Sequence, residues 1–197
     1  MITIIDYGAG NLSSVVNAFA KLGFKVKVTD APKDVEKATS IVLPGVGSFG
    51  YLCDALDEKG LREPIISKVT AGTPYLGICL GMQVLFETSE ESPGAKGLGM
   101  MKGKVVRFTS GKVPQLGWNE VLPKKKGLLE QGYAYFANSY YAKCSKSDIL
   151  AATEYYGVTF PSAMQRKNIT ALQFHPEKSG AWGLEVLRRW AQCSQNE

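Results

Sequence analysis

The residues whose arrangement holds the most chemistry are Gly77-Ile78-Cys79-Leu80-Gly81. Cys79 follows an apolar run at 75–78, and the segment precedes a helical pattern over 82–87. That is the form of a nucleophile elbow, with sulfur in place of a serine hydroxyl. The flanking glycines suit a turn too tight for side chains beside the nucleophile. A helix start at this point aims N–H groups at the sulfur and favours the reactive thiolate. The N–H of Leu80 becomes a natural oxyanion donor. Taken alone, the elbow leaves an inert buried cysteine in a glycine-rich turn equally open.

A second segment, Gln173-Phe174-His175-Pro176-Glu177, breaks the tie. His175 is the only histidine in the chain, so any imidazole chemistry must pass through it. His175 and Glu177 are two apart, and in an extended segment both side chains leave the same face. Pro176 biases His175 towards that geometry. A carboxylate beside an imidazole fixes its tautomer and stabilises its charged form, the work of a third triad member. A lone histidine also excludes multi-histidine zinc or iron sites. No metal or other cofactor is expected.

A third segment, Pro44-Gly45-Val46-Gly47-Ser48-Phe49-Gly50, matches a dinucleotide-binding fingerprint literally over 45–50. Pro44 precedes it, and no acidic residue ends a strand about 20 positions on, so the nucleotide reading fails. Gly8-Ala9-Gly10-Asn11-Leu12-Ser13 fails at its last position. A glycine-rich loop after a neighbouring strand can instead point backbone N–H groups at a developing oxyanion.

Elements that could position these segments are legible on either side. Strands are expected at 2–5, 24–28, 41–43 and 75–78, with helices starting near Asn11, at Pro32, and over 52–56 and 61–69. Apolar strands alternating with amphipathic helices predict an α/β fold with a largely parallel central sheet, a three-layer flavodoxin-like arrangement. From residue 97 the pattern changes to short strands at 104–108, 134–136, 149–155, 162–165 and 170–174. These predict an antiparallel β extension, closed by a helix over 182–193. No repeat or linker interrupts the chain, which is expected to form one domain over 1–197.

The 197 residues carry 23 Lys+Arg against 18 Asp+Glu, a net charge of +5. The one basic block, Lys124-Lys125-Lys126, lacks interleaved aromatics and reads as a solvated face, so no nucleic-acid partner is expected. The four cysteines form no C-x-x-C pair, which argues against a zinc ribbon or a thioredoxin-type motif. Cys53, Cys144 and Cys193 lie outside the motifs and are expected to be packing residues. The most apolar stretch, 69–86, is interrupted by Gly, Thr, Pro and Gln and cannot span a membrane. With no basic leader ahead of the first strand, a cytoplasmic location is expected.

The elbow with Gln83 four residues after the cysteine, the His175-Pro176-Glu177 ending and the order Cys, His, Glu resemble the class I (triad) glutamine amidotransferases. Further segments resemble one branch, the glutaminase subunits of imidazole glycerol phosphate synthases. These are Ile5-Asp6-Tyr7-Gly8-Ala9-Gly10-Asn11, the 43–50 loop, Pro114-Gln115-Leu116-Gly117-Trp118-Asn119-Glu120 and Phe160-Pro161-Ser162-Ala163. The resemblance implies Cys79 as nucleophile on L-glutamine, His175 as acid and base, and Glu177 as its orienting group. It implies an oxyanion site from Leu80 and the 44–47 loop, with Val46 as donor and Gly47 beside it. Gln83, Glu91, Ser139 and Tyr140 would bind glutamine. The implied partner is a (β/α)8-barrel cyclase subunit, HisF, forming a heterodimer. It would use the ammonia to make imidazole glycerol phosphate and an aminoimidazole carboxamide ribonucleotide in histidine synthesis. Asn11, Gln115, Trp118, Asn119 and Lys178 would face that partner, although Trp118 could equally be a core aromatic. The chain departs from many relatives in having Asn138 and Gln115 where they have histidine. A paralogue feeding ammonia to another pathway, and a binding subunit without turnover, both stay open.

Overall fold

The computed structural model describes residues 1–8 and 12–194. Its first half alternates strands and helices: β1 (Ile2–Ile5), α1 (Leu12–Lys21), β2 (Val26–Thr29), α2 (Pro32–Val35), β3 (Ile41–Gly45), α3 (Phe49–Glu58), α4 (Arg62–Thr70), β4 (Tyr75–Cys79) and α5 (Leu80–Gln83). The second half adds β5 (Gly103–Arg107), β6 (Gln115–Pro123), β7 (Gly132–Asn138), β8 (Tyr140–Cys144), β9 (Ile149–Tyr155), β10 (Val158–Arg166), β11 (Ile169–Leu172) and α6 (Gly180–Cys193).

The main sheet has nine strands in the order β2-β1-β3-β4-β11-β10-β9-β6-β7. β2, β1, β3, β4 and β11 pair in parallel. From β11 outward the pairing is antiparallel. The expected combination of a parallel sheet with an antiparallel extension is present as one continuous sheet, except that β5, expected within the extension, pairs with β8 in a separate two-stranded antiparallel sheet.

Burial on both faces explains the unbroken apolar character of the central strands. β1 and β4 are buried at every position. Alternate side chains serve opposite cores. Ile5, Leu43 and Tyr75 join the core beneath α3 and α4, whereas Ile2, Ile4, Val42, Leu76 and Ile78 join the one beneath α1 and α6. α1 contributes Val15, Ala18 and Phe19 to that second core, and α6 contributes Val186, Leu187, Trp190 and Ala191.

Several elements differ from expectation. β3 continues through Pro44 to Gly45, because a proline can occupy a parallel strand where its missing donor is tolerated. The helix after the elbow is only four residues long and begins at Leu80, not 82. β6 and β8 were not expected as strands at all. β6 carries a glycine with positive φ at 117 and a mixed burial pattern, and one of its two partners, β9, lies beyond two intervening strands. Asn11, expected to cap α1, lies outside the described residues. Cys53 is buried and Cys144 half-buried, as packing residues should be, but Cys193 is exposed on the last turn of α6. Lys124, Lys125 and Lys126 are all exposed.

Candidate active site

The register of the parallel strands decides what meets Cys79. Gly45 is its partner on β3, and Ile78 pairs with Leu172 on β11. The chain therefore leaves β3 as the 46–48 loop on one side of Cys79 and leaves β11 towards His175 on the other. This is the carboxyl end of the parallel strands, where open α/β sheets place their sites.

Cys79 itself has φ 54° and ψ −106°, a conformation that side-chain-bearing residues avoid. Such strain costs on the order of 1–3 kcal/mol and persists only where packing over-determines it. The glycines supply that packing. A Cβ on Gly81 would lie 1.8 Å from the Leu43 carbonyl oxygen, and one on Gly77 would lie 2.4 Å from that of Gly81. Gly45 is equally closed, with Leu80 Cβ at 2.5 Å. The elbow is thus pressed against β3 backbone to backbone.

His175 is 4% exposed. Its backbone N–H donates to Tyr135 O at 2.9 Å, and Ser179 Oγ donates to its carbonyl at 2.7 Å while accepting from Tyr135 N–H at 2.9 Å. These bonds tie the imidazole to β7. Nδ1 lies 2.8 Å from Glu177 Oε1, which leaves Nε2 for the Cys79 sulfur. His175 is extended, but Pro176–Lys178 form a single 3-10 turn. The two side chains meet through that turn, not through the strand alternation expected from their spacing. Burial disfavours the imidazolium; the Cys79 sulfur, and then Glu177, outweigh it and raise the His175 pKa to about 10.

Cys79 and His175 open on a cavity of about 290 Å³. Val46, Gly47, Leu80, Gln83, Glu91, Ser139 and Tyr140 line it, so every residue expected to form the oxyanion site or bind glutamine converges there. Their hydrogen bonds refine the picture. Gln83 Nε2 donates to Tyr140 O and to Gln173 Oε1, each at 3.0 Å. Glu91 Oε2 accepts from Phe49 N–H at 2.7 Å; burial raises its pKa, partly countered by that bond. The Val46 N–H already donates to the Tyr7 hydroxyl at 2.8 Å, and that hydroxyl donates to Val46 O at 2.8 Å. Burial pushes the Tyr7 pKa up to about 12, so the hydroxyl keeps its proton.

The residues expected at a partner surface are placed unevenly. Trp118 is 57% exposed, which removes the core alternative. Leu116 and Tyr133 are exposed beside it on the β6–β7 hairpin. Lys178 is exposed at the cavity, its Nζ 5.9 Å from the centre of the Tyr135 ring. Asn119 is spent on Glu154 O and Glu120 N–H. Gln115 is not on the surface: it is 2% exposed, opposite Asn138. Sequence reasoning gave no role to Tyr7 or Gln173. Gln173 stands two residues before His175, and that i, i+2 spacing was the available signal.

The comparisons with known proteins agree with this geometry. The model of the class I glutamine amidotransferase family matches residues 3–191. The imidazole glycerol phosphate synthase subunit HisH of Desulfitobacterium hafniense is 47% identical over 196 residues, covering 96% of this chain and 93% of the relative. The HisH subunit of Methanothermobacter thermautotrophicus is 48% identical over 197 residues, covering 98% of each. A solved glutamine amidotransferase superposes with a TM-score of 0.81 at 17% identity over 99% of this chain and all of its own. PurLQS from Thermotoga maritima gives 0.75 at 20% identity, over 99% of this chain and 97% of that one. The structural likenesses establish the fold, and the full-length sequence match carries the descent. A cysteine elbow facing a histidine–glutamate pair, on this fold and in this sequence, makes the chain a member of the class I glutamine amidotransferases.

Proposed function

We propose that this chain, as one domain over 1–197, is the glutaminase subunit of an imidazole glycerol phosphate synthase. It hydrolyses L-glutamine to glutamate and ammonia and passes the ammonia to a (β/α)8-barrel cyclase in a heterodimer. The observation that carries this reading is the convergence of Cys79 and the hydrogen-bonded His175–Glu177 pair on one cavity, in a chain so similar to HisH subunits.

The Cys79 thiolate attacks the side-chain carbonyl carbon of glutamine. The C=O π electrons move to oxygen, and the oxyanion accepts from the N–H groups of Leu80 and Val46. His175, held as imidazolium by Glu177 and the sulfur, gives its proton to the amide nitrogen. The C–N bond breaks, ammonia leaves and a γ-glutamyl thioester remains. His175, now neutral, takes a proton from water as the water attacks the thioester. Glutamate departs, and the thiolate–imidazolium pair is restored.

One donor of the oxyanion pair is engaged before the reaction starts. While the Val46 N–H rests on Tyr7, stabilisation of the oxyanion is incomplete and turnover without a partner is slow. Lys178 lines the cavity, and the exposed Leu116, Trp118 and Tyr133 stand on the hairpin whose Ala137 and Asn138 also line it, so a docked cyclase would both cover the hairpin and bias the loop. Gly47 supplies freedom for that change at φ 96°.

The test is to mix the chain with a barrel cyclase and its nucleotide ligand and to measure glutamate. Strong stimulation that disappears with Cys79→Ala is expected. Absence of stimulation, or full stimulation with Cys79→Ala, overturns the reading.

A further inference from the structure

Gln173 is completely buried at the end of β11, and its side chain joins two parts of the site. Its Nε2 points at Cys79 Sγ from 3.8 Å. Its Oε1 accepts from Gln83 Nε2 at 3.0 Å. The amide orientation is therefore determined: exchanging O and N would set two NH2 groups against each other and turn a carbonyl oxygen towards the sulfur. Gln83 is itself anchored, since the same Nε2 donates to Tyr140 O at 3.0 Å. A chain of amides thus runs from the backbone of β8 through Gln83 and Gln173 to the nucleophile.

A neutral amide donor gains little from a thiol, whose sulfur is a weak acceptor, and considerably more from a thiolate. In a buried setting that difference is amplified, because water does not compete for either group. His175, two residues further on, lines the same cavity as the sulfur, so a proton-carrying imidazole and a neutral amide serve one nucleophile. His175 must leave its interaction with sulfur to protonate the departing amine. Gln173 has no proton to give away and can stay in place throughout.

We propose that Gln173 is a positioning residue for the nucleophile, donating an N–H···S hydrogen bond that favours the Cys79 thiolate and fixes its direction of attack, with Gln83 locking the amide. This rests on the reading of Cys79 as the nucleophile. It also gives Gln83 a task independent of substrate, in addition to lining the cavity.

The experiment uses the chain assembled with its barrel partner and compares wild type, Gln173→Leu and Gln173→Glu. Glutamate keeps the shape and the acceptor for Gln83 but replaces the donor with an oxygen. Iodoacetamide alkylation of Cys79 is followed across pH, beside the kcat and KM for glutamine. Expected are a rise of about one unit in the alkylation midpoint and a fall of roughly tenfold in kcat, with KM little changed. An unchanged midpoint in either variant that retains a cooperative thermal transition overturns the proposal. If neither folds, the side-chain amide resonance of Gln173 in 15N-labelled wild type decides. It should move when Cys79 is replaced by Ala, and a fixed resonance overturns the proposal. Failure of the underlying reading looks different, since Cys79→Ala would then still release glutamate.

Discussion

The β4–α5 elbow and the β6–β7 hairpin both contribute to the lining of one cavity and are built on opposite terms. Around Cys79 every position of β4 is buried, and glycines let backbone press on backbone at distances that admit no Cβ. On the hairpin, Leu116, Trp118 and Tyr133 stand in solvent at 57–67% exposure. Close packing transmits strain and tolerates no added atom, whereas an exposed apolar patch is available to a second surface. On the proposed reading the contrast separates two tasks: the parallel half holds a strained nucleophile, and the antiparallel half offers a place to dock.

Substitutions on the two sides should therefore fail in different ways. The largest effect is expected from Gly81→Ala, whose methyl would fall on the Leu43 carbonyl. Denaturant titration should show a loss of about 3 kcal/mol or more, with activity lost alongside. A stable, active variant would mean that the elbow is looser than its contacts indicate. Glu177→Gln keeps the fold but removes the charge that orients His175. Glutamate release by the complex should fall by roughly 10²–10⁴-fold, with the thermal transition little altered.

Tyr7→Phe probes the boundary between the two regions. Removing the hydroxyl frees the Val46 N–H, so the partner-free rate should rise about fivefold and stimulation by the cyclase should shrink correspondingly. A fall in the partner-free rate would instead make Tyr7 a support of the active loop. The smallest effect on the isolated chain is expected from Trp118→Ala. Stability should change by no more than about 0.5 kcal/mol, while binding to the barrel subunit, followed by calorimetry, weakens tenfold or more. An equally tight complex would remove the hairpin from the interface.

The elbow side was the more legible in the sequence, for a physical reason. A central parallel strand must be apolar throughout, and a glycine-flanked cysteine after such a strand permits few geometries, so β4, the turn and the loop after β3 could all be read locally. His175 and Glu177 could be paired by spacing, although the 3-10 turn that joins them could not be foreseen. The hairpin side was poorly legible because its strands depend on pairing that their own residues do not announce. β8 pairs with β5, and β6 with β7 and β9, across segments that carry no strong local pattern. Burial of Gln115 was hidden for the same reason: its neighbour Asn138 arrives only when the hairpin closes. The engagement of Val46 by Tyr7 joins residues 39 apart and left no trace in either segment. No helix among the described residues is long and apolar enough to cross a membrane.

The central claim is that Cys79 is an activated nucleophile directed at a glutamine side chain. It is tested most directly by incubating the chain, complexed with its barrel cyclase, with a glutamine-like electrophile and measuring the intact mass and the modified peptide. One adduct on Cys79, prevented by excess glutamine and absent in Cys79→Ala, is the predicted result. No adduct on Cys79, or labelling of Cys53, Cys144 and Cys193 at the same rate, would contradict it.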